Sequence, residues 1–267
     1  MKTIIYYFTG TGNSLAAAKK IAAATGDCEL VPIASLRETS GDIVPQAERA
    51  GIVCPVYFSG LPLMVASFAG RLDPAAVPYL FAVITHGGGG ESAALRQLDG
   101  ILRKGQGRGL DAGFGVAMPG NYIMMYESPS GKKQEEILAK ADKEFAEITG
   151  PVTRCEKRNL PSSLIPRVLY TLLYPWFKSH VHTDDRKFTV TDQCTSCGTC
   201  VALCPAKNIE LVDKKPVWKH HCELCCGCIH NCPAKAIQAG ARTEKWQRYR
   251  NPEITVAELK NQGENKP

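Results

Sequence analysis

Nine of the twelve cysteines fall between Cys194 and Cys232, and their spacing constrains the chain more than any other feature. They form two runs of the pattern C-x-x-C-x-x-C-x-x-x-C-P: Cys194, Cys197, Cys200 and Cys204 before Pro205, then Cys222, Cys225, Cys228 and Cys232 before Pro233. Three thiolates separated by two residues each can close a tight loop around one iron-sulfur cubane, while the fourth, held off by a turn and a proline, points away. Zinc sites usually use two C-x-x-C pairs with a longer spacer and close with four ligands. The third cysteine and the Cys-Pro step in each run therefore favour iron-sulfur over zinc. A disulfide framework is not expected either, since no secretory signal is evident and the cysteine-rich part is a minor fraction of the chain. Cys226 is extra to the pattern and reads as a small buried thiol beside the second run, not as a ligand.

At 267 residues the chain exceeds the usual single-domain size. Four parts are expected: an α/β domain over residues 1–150, a linker with short helices over 151–186, a small cysteine-rich α+β domain over 187–240, and a polar tail over 241–267. Disorder is predicted from Asn261 onward. The apolar share of 44% suffices for a packed core, yet no uncharged run reaches the roughly 20 residues of a membrane span. The most apolar stretch, Leu160 to Phe177, is broken by Pro161, Pro166, Arg167 and Pro175. It reads as short helices packed on the first domain, with a membrane-surface helix as the alternative. The net charge of +6 gathers near this junction, where residues 154–187 hold 7 basic and 3 acidic side chains. Such a surface suits an acidic electron carrier as partner; no base-reading motif supports nucleic acid.

Lys2 to Phe8 is an apolar, β-branched and aromatic run that reads as a buried parallel strand. Thr9-Gly10-Thr11-Gly12-Asn13-Ser14 follows, then an alanine-rich helix. Strand, Gly and hydroxyl loop, helix start is how a protein holds a phosphate, although the loop is neither a Walker A sequence nor a dinucleotide fingerprint. Further strands are expected at Glu29–Ile33, Ala50–Tyr57, Pro78–Thr85 and Gly113–Met118, with helices at Pro62–Arg71, Glu91–Lys104 and Glu135–Ile148. Five strands alternating with helices imply a doubly wound sheet, with a ligand beyond the strands' C-terminal ends. Four glycines, Gly87 to Gly90, would allow the backbone to approach a flat ligand.

The first loop resembles the phosphate loop of flavodoxins, Ser/Thr-x-Thr-Gly-x-Thr/Ser, which Thr9, Thr11, Gly12, Asn13 and Ser14 match position by position. The resemblance implies a strand order 2-1-3-4-5 and an FMN site. Tyr57 and Phe58 would cover one face of the flavin ring, and Ser59-Gly60 would turn a carbonyl toward it, the glycine with a positive φ. Thr85, His86, Gly87, Gly88, Gly89 and Gly90 would meet its other face and its pyrimidine edge. The segment Pro119 to Ser130 could line a pocket over the ring.

The cysteine runs resemble those of bacterial two-cluster ferredoxins, in which the fourth cysteine of each run ligates the other run's [4Fe-4S] cluster. That resemblance implies one cluster on Cys194, Cys197, Cys200 and Cys232, and a second on Cys222, Cys225, Cys228 and Cys204. Asn208 to Leu211 and Ala236 to Gln238 repeat after the two runs, as an internal duplication would. Taken whole, residues 1 to 240 resemble the fused flavodoxin and two-cluster ferredoxin proteins of anaerobic bacteria and archaea. The implied function is electron transfer between FMN and two [4Fe-4S] clusters, linking two-electron to one-electron steps, in an electron carrier or an oxidoreductase subunit. The alternatives are a substrate-reducing iron-sulfur flavoenzyme and a cluster-based redox sensor. No catalytic acid, base or nucleophile constellation is evident. Cytoplasmic residence and oxygen sensitivity are expected, with Cys28, Cys54 and Cys155 as free thiols.

Overall fold

The computed structural model describes residues 1–260 and residue 262. Five strands, β1 (Thr3–Tyr7), β2 (Cys28–Pro32), β3 (Arg49–Pro55), β4 (Tyr79–His86) and β5 (Ala112–Ala117), run parallel in the order β2-β1-β3-β4-β5. This is the order that the flavodoxin resemblance implies. The strands are apolar on both sides because helices cover both. Tyr6, Phe8, Ile52, Cys54, Ala82 and Ile84 point to a core shared with α2 (Leu63–Arg71) and α3 (Glu91–Gln106). Their alternate neighbours Ile5, Tyr7, Val53, Phe81 and Val83 point to a core shared with α1 (Asn13–Thr25) and α4 (Gly131–Thr153).

The junction differs from the expectation of short, proline-broken helices. A single helix, α5 (Leu164–His180), runs through both prolines. Pro166 lies in the first turn, where its missing N–H has no carbonyl to serve, and Pro175 costs one bond to the Thr171 carbonyl. Tyr174 and Phe177 are buried against the rest of the protein, and the Tyr174 hydroxyl donates to the Leu61 carbonyl at 2.8 Å. That anchorage holds the helix together where local propensity would not.

The cysteine-rich part is small and built twice. The hairpin β7 (Ile209–Val212) and β8 (Lys215–Trp218) follows the first run, and β6 (Thr189–Val190) pairs antiparallel with β9 (Ile237–Gln238) after the second. Each run carries a one-turn helix, α6 (Thr199–Ala202) or α7 (Gly227–His230). The backbone repeats residue for residue. Positive φ occurs at Ser196 and Leu224 (56° and 55°), at Gly198 and Cys226 (71° and 56°), and at Lys207 and Lys235 (48° and 49°). The two prolines occupy the second position of equivalent turns, in which the Lys207 and Lys235 N–H groups each donate to the carbonyl of the preceding fourth cysteine at 3.0 Å.

The segment after Gly240, expected to be a polar tail, is a strap laid across the first sheet domain. Tyr249 and Ile254 are buried, and Leu259 in α8 (Val256–Lys260) sits in the core beside α1. Lys19 and Lys20 on α1 reach Glu258 and Glu253 at 2.7 and 2.8 Å, and the Lys19 contact pulls the Glu258 carboxyl down to about 2. These exposed pairs add little to stability compared with the buried side chains. Leu259→Ala is therefore expected to cost about 2 kcal/mol or more in urea unfolding, where a solvated tail would show no change. The disorder predicted from Asn261 onward lies outside the described residues, apart from Gln262.

Candidate functional site

At the C-terminal ends of β1, β3 and β4 lies a crevice of about 310 Å³, the size of a ligand site. Of the residues singled out from sequence, Thr9, Thr11, Asn13, Ser14, Tyr57, Phe58, Ser59, Thr85, His86, Gly87, Gly88 and Gly89 line it. Gly12, Gly60 and Gly90 do not.

The phosphate-type loop is held by its own side chains. The Thr9 hydroxyl accepts the Gly12 N–H at 3.0 Å, and the Ser14 and Thr85 hydroxyls share a hydrogen bond of 2.8 Å. Thr11 accepts from the Asn121 side chain, which leaves its own hydroxyl proton available. Gly12 caps α1 without a side-chain bond, and among the described residues no acceptor is found for the amides of Asn13, Ser14 and Leu15. Free amides at a helix start beside donor hydroxyls make an anion site.

The strap buttresses this loop from behind. The Asn13 side chain donates to the Pro119 carbonyl at 3.1 Å and accepts from the Tyr249 hydroxyl at 2.6 Å and from Asn251 at 3.2 Å. Asn251 N–H donates to the Thr11 carbonyl at 2.9 Å. Asn13 thus has a structural duty within the loop. Tyr249 and Asn251 were missed from sequence.

At the other end, Phe58 stacks on Phe177 with centroids 5.2 Å apart and meets Trp176 and Tyr122 edgewise or tilted. Tyr57 lies between Phe8 and Phe177. The turn from Tyr57 to Gly60 closes with two reciprocal backbone bonds of 2.8 Å. Its positive φ values fall on Phe58 (48°) and Ser59 (63°), not on Gly60. This corrects the role expected of Gly60: a side chain there would run into the Tyr174 ring and come within 2.8 Å of Gln97. The glycine lets α5 seat on the loop.

His86 accepts the Gly89 N–H on Nδ1 at 2.8 Å, and burial pushes its pKa down. It is therefore neutral at pH 7 and orders the glycine loop. The glycines divide their work, since Gly90 instead caps α3. Opposite them, Gly120, Tyr122 and Tyr126 from the segment after β5 close the crevice, together with Leu173 and Phe177 of α5.

The remaining wall comes from the cysteine-rich part. Leu224, Cys225 and Cys226 line the crevice. Behind them is a cavity lined by Cys204, Cys222, Cys225, Cys226 and Cys228, and a second cavity is lined by Cys194, Cys197, Cys200 and Cys232. Each cavity gathers three cysteines of one run and the fourth of the other. Backbone N–H groups aim at the crossing sulfurs: Asn208 at Cys204 Sγ (3.4 Å) and Ala236 at Cys232 Sγ (3.2 Å), with Leu224 at Cys222 Sγ (3.2 Å). Burial pushes the thiols of Cys222, Cys225 and Cys228 well up. Ionising several of them together needs a positive centre in their midst. Among the described residues no three His, Cys, Asp or Glu converge as ligands of one ion would. Trp218, which lines the first of these cavities, has a buried indole N–H without an acceptor among the described residues.

His230 ties the three parts together. Its Nε2 donates to the Asn121 carbonyl at 2.7 Å, and its Nδ1 accepts the Tyr249 N–H at 3.0 Å. Burial lowers its pKa to about 4, so the ring stays neutral in this one tautomer.

No protein-family model matches the chain, and no curated protein does. Among solved structures, it is similar to a putative flavoprotein from Bacteroides uniformis at 20% identity, covering 43% of this chain and 90% of that one, with a TM-score of 0.35. A flavoprotein in complex with FMN from Lactobacillus acidophilus matches at 13% identity over 43% of this chain and 92% of that one, with a TM-score of 0.34. A flavodoxin from the domain Archaea matches at 17% identity over 57% and 99%, with a TM-score of 0.34.

Proposed function

We propose that the protein carries electrons between FMN in the crevice and two [4Fe-4S] clusters in the cysteine cavities. One observation carries this reading: Cys225 and Cys226 belong to the walls of both the crevice and the nearer cysteine cavity. A cofactor in each would be separated by little more than one turn of chain.

The donor chemistry fits both groups. The free amides of α1 and the hydroxyls of Thr11, Ser14 and Thr85 would hold the FMN phosphate, and Tyr57, Phe58 and the Gly87–Gly89 loop would flank the ring. In a cubane each thiolate binds a different iron, so its ligands stand around a cavity instead of converging on a point. The sets Cys194, Cys197, Cys200, Cys232 and Cys222, Cys225, Cys228, Cys204 stand that way, and the Trp218 N–H would find an acceptor in a cluster's sulfur. When bound, the flavin exchanges two electrons and each cluster one.

The chain's own residues set the direction of access. Cys228 is buried at 8% exposure and Cys225 is half-buried in the crevice wall, whereas Cys197 of the other set is exposed. The cavity of Cys194, Cys197 and Cys200 is thus the port toward a redox partner protein. Lys214 lies beside it, where the Ser196 hydroxyl donates to the Lys214 carbonyl, and would favour an acidic partner, whereas Lys215 is paired with Asp192.

Anaerobic isolation followed by iron, sulfide and flavin analysis tests the proposal. About eight iron, about eight sulfide and one FMN per chain are expected from two cubanes and one crevice. Zinc in place of iron, or a chain that takes up no flavin, would refute the corresponding half. Within the crevice, Thr11→Ala with Ser14→Ala removes two donors to a dianion, each worth roughly 1.5–3 kcal/mol. FMN affinity should fall by about tenfold or more while riboflavin affinity hardly changes. Equal loss of both ligands in fluorescence titration would show that the loop does not hold the phosphate.

A further inference from the structure

Helix α5 turns one side into the protein and leaves the other uncovered. Tyr170, Tyr174 and Phe177 share the inward half with the aromatic cluster. The opposite half presents Leu164, Ile165, Val168, Leu172, Leu173 and Trp176, with Leu164 and Ile165 74% and 73% exposed and Leu172 66%. At helical spacing these positions form one continuous stripe. Over 17 residues it is roughly 25 Å long. Isolated exposed leucines need no explanation, but a stripe of this size does.

We infer that this face of α5 docks on the surface of an anionic lipid bilayer, with the helix lying in the interface plane. Charge selects this occupant. From Lys157 to Thr183 the chain has no acidic residue; Lys157 and Arg158 are paired with Asp111 and Glu156, which leaves Arg167 and Lys178, met by no carboxylate among the described residues. Arg167 and Lys178 fall on the same edge of the stripe, one near each end of the helix. An apolar stripe edged by cations and free of anions is complementary to acyl chains under acidic headgroups. An electroneutral protein partner would give those cations nothing to meet. No helix among the described residues is long and apolar enough to cross a membrane, so the contact is superficial.

The stripe also continues into the crevice mouth. Leu173 belongs to both, and Met125, 64% exposed, also lines the crevice. Docking through α5 would therefore turn the crevice opening toward the lipid.

Co-sedimentation of the full holoprotein with vesicles tests this and does not depend on the identity of the cofactors. Vesicles of phosphatidylcholine with phosphatidylglycerol should retain the protein, pure phosphatidylcholine should retain much less, and raised salt should weaken binding. Ile165→Glu with Leu172→Glu, at exposed positions, should lower the partition coefficient about a hundredfold by removing two apolar anchors and adding like charge. Arg167→Gln with Lys178→Gln should lower it roughly tenfold or more on anionic vesicles only. Circular dichroism and the cofactor absorbance of each variant should match the parent, since no core residue changes. Absence of binding to anionic vesicles, or equal binding by the Ile165→Glu, Leu172→Glu variant, would overturn the inference. So would a concentration-dependent dimer, seen by sedimentation velocity and abolished by that variant, because the stripe would then be a contact between copies of this chain.

Discussion

Cys204→Ala should destroy the cluster of the second run and spare that of the first. Cys204 belongs in sequence to Cys194, Cys197 and Cys200, but it lines the cavity of Cys222, Cys225 and Cys228. Iron is expected to fall from about eight to about four per chain. The surviving cluster should be the exposed one, accessible to chelators through Cys197. On the proposed arrangement, electron passage from flavin to external acceptors should then collapse, because the lost cluster would occupy the cavity that shares a wall with the crevice. Cys232→Ala should do the reverse, leaving the inner cluster and a flavin that can still equilibrate with it. Mössbauer and electron paramagnetic resonance spectra of the two variants distinguish the cases. Loss of the first run's cluster in Cys204→Ala would show that the runs do not cross. Cys226→Ser, outside both ligand sets, should retain both clusters.

A second large effect is expected from Gly10→Ala, a residue that no motif marks as important. A Cβ at Gly10 would overlap the Cys225 carbonyl and lie 2.9 Å from the Cys225 side chain. The reciprocal position, Gly227, is tight as well, though less so, with a Cβ there 2.9 Å from the Gly10 carbonyl. Two backbones meet at this point, so no rotamer change relieves the overlap. The cost should be about 1–3 kcal/mol or more. Its consequence should be functional as well as energetic: the phosphate-type loop and Cys225, a proposed cluster ligand, must move apart. FMN affinity and the inner cluster should both suffer in one variant, whereas Thr11→Ala with Ser14→Ala should affect FMN alone. Flavin content and iron content of Gly10→Ala, measured together, check this. Normal values for both would mean that the contact has slack which the packing does not reveal.

Much of the fold was legible because local patterns carried it. Apolar runs of strand length, each ended by glycine or proline and followed by a helical period, specify parallel strands covered on both faces. Their number and alternation leave few topologies, and the observed β2-β1-β3-β4-β5 order is among them. The loop from Thr9 to Ser14 was legible for the same reason, since the strand before it and the helix after it are both local. The spacing of the cysteine runs is likewise a property of short chain segments, and the positive φ shared by Lys207 and Lys235 shows that the repeat extends to the backbone.

Long-range contacts decided the rest. Nothing near Gly60 announces that its missing side chain makes room for Tyr174, more than a hundred residues away, and a local reading assigned it a turn conformation that falls on Phe58 and Ser59 instead. The helix α5 survives Pro175 only because Tyr174 and Phe177 are anchored on other elements. The strap is the clearest case. Tyr249, Ile254 and Leu259 are too sparse among polar residues to form a periodic pattern, so composition reads as a solvated tail. One local sign was present: Thr255 and Glu258 form a capping box, with the Thr255 N–H donating to the Glu258 carboxylate at 2.8 Å, immediately before Leu259. The burial of those side chains depends on a groove that α1 and its loop create once folded. The shared wall at Cys225 and Cys226 is of the same kind: spacing can nominate ligands, but only packing brings a cysteine run against a phosphate-type loop that lies at the other end of the chain.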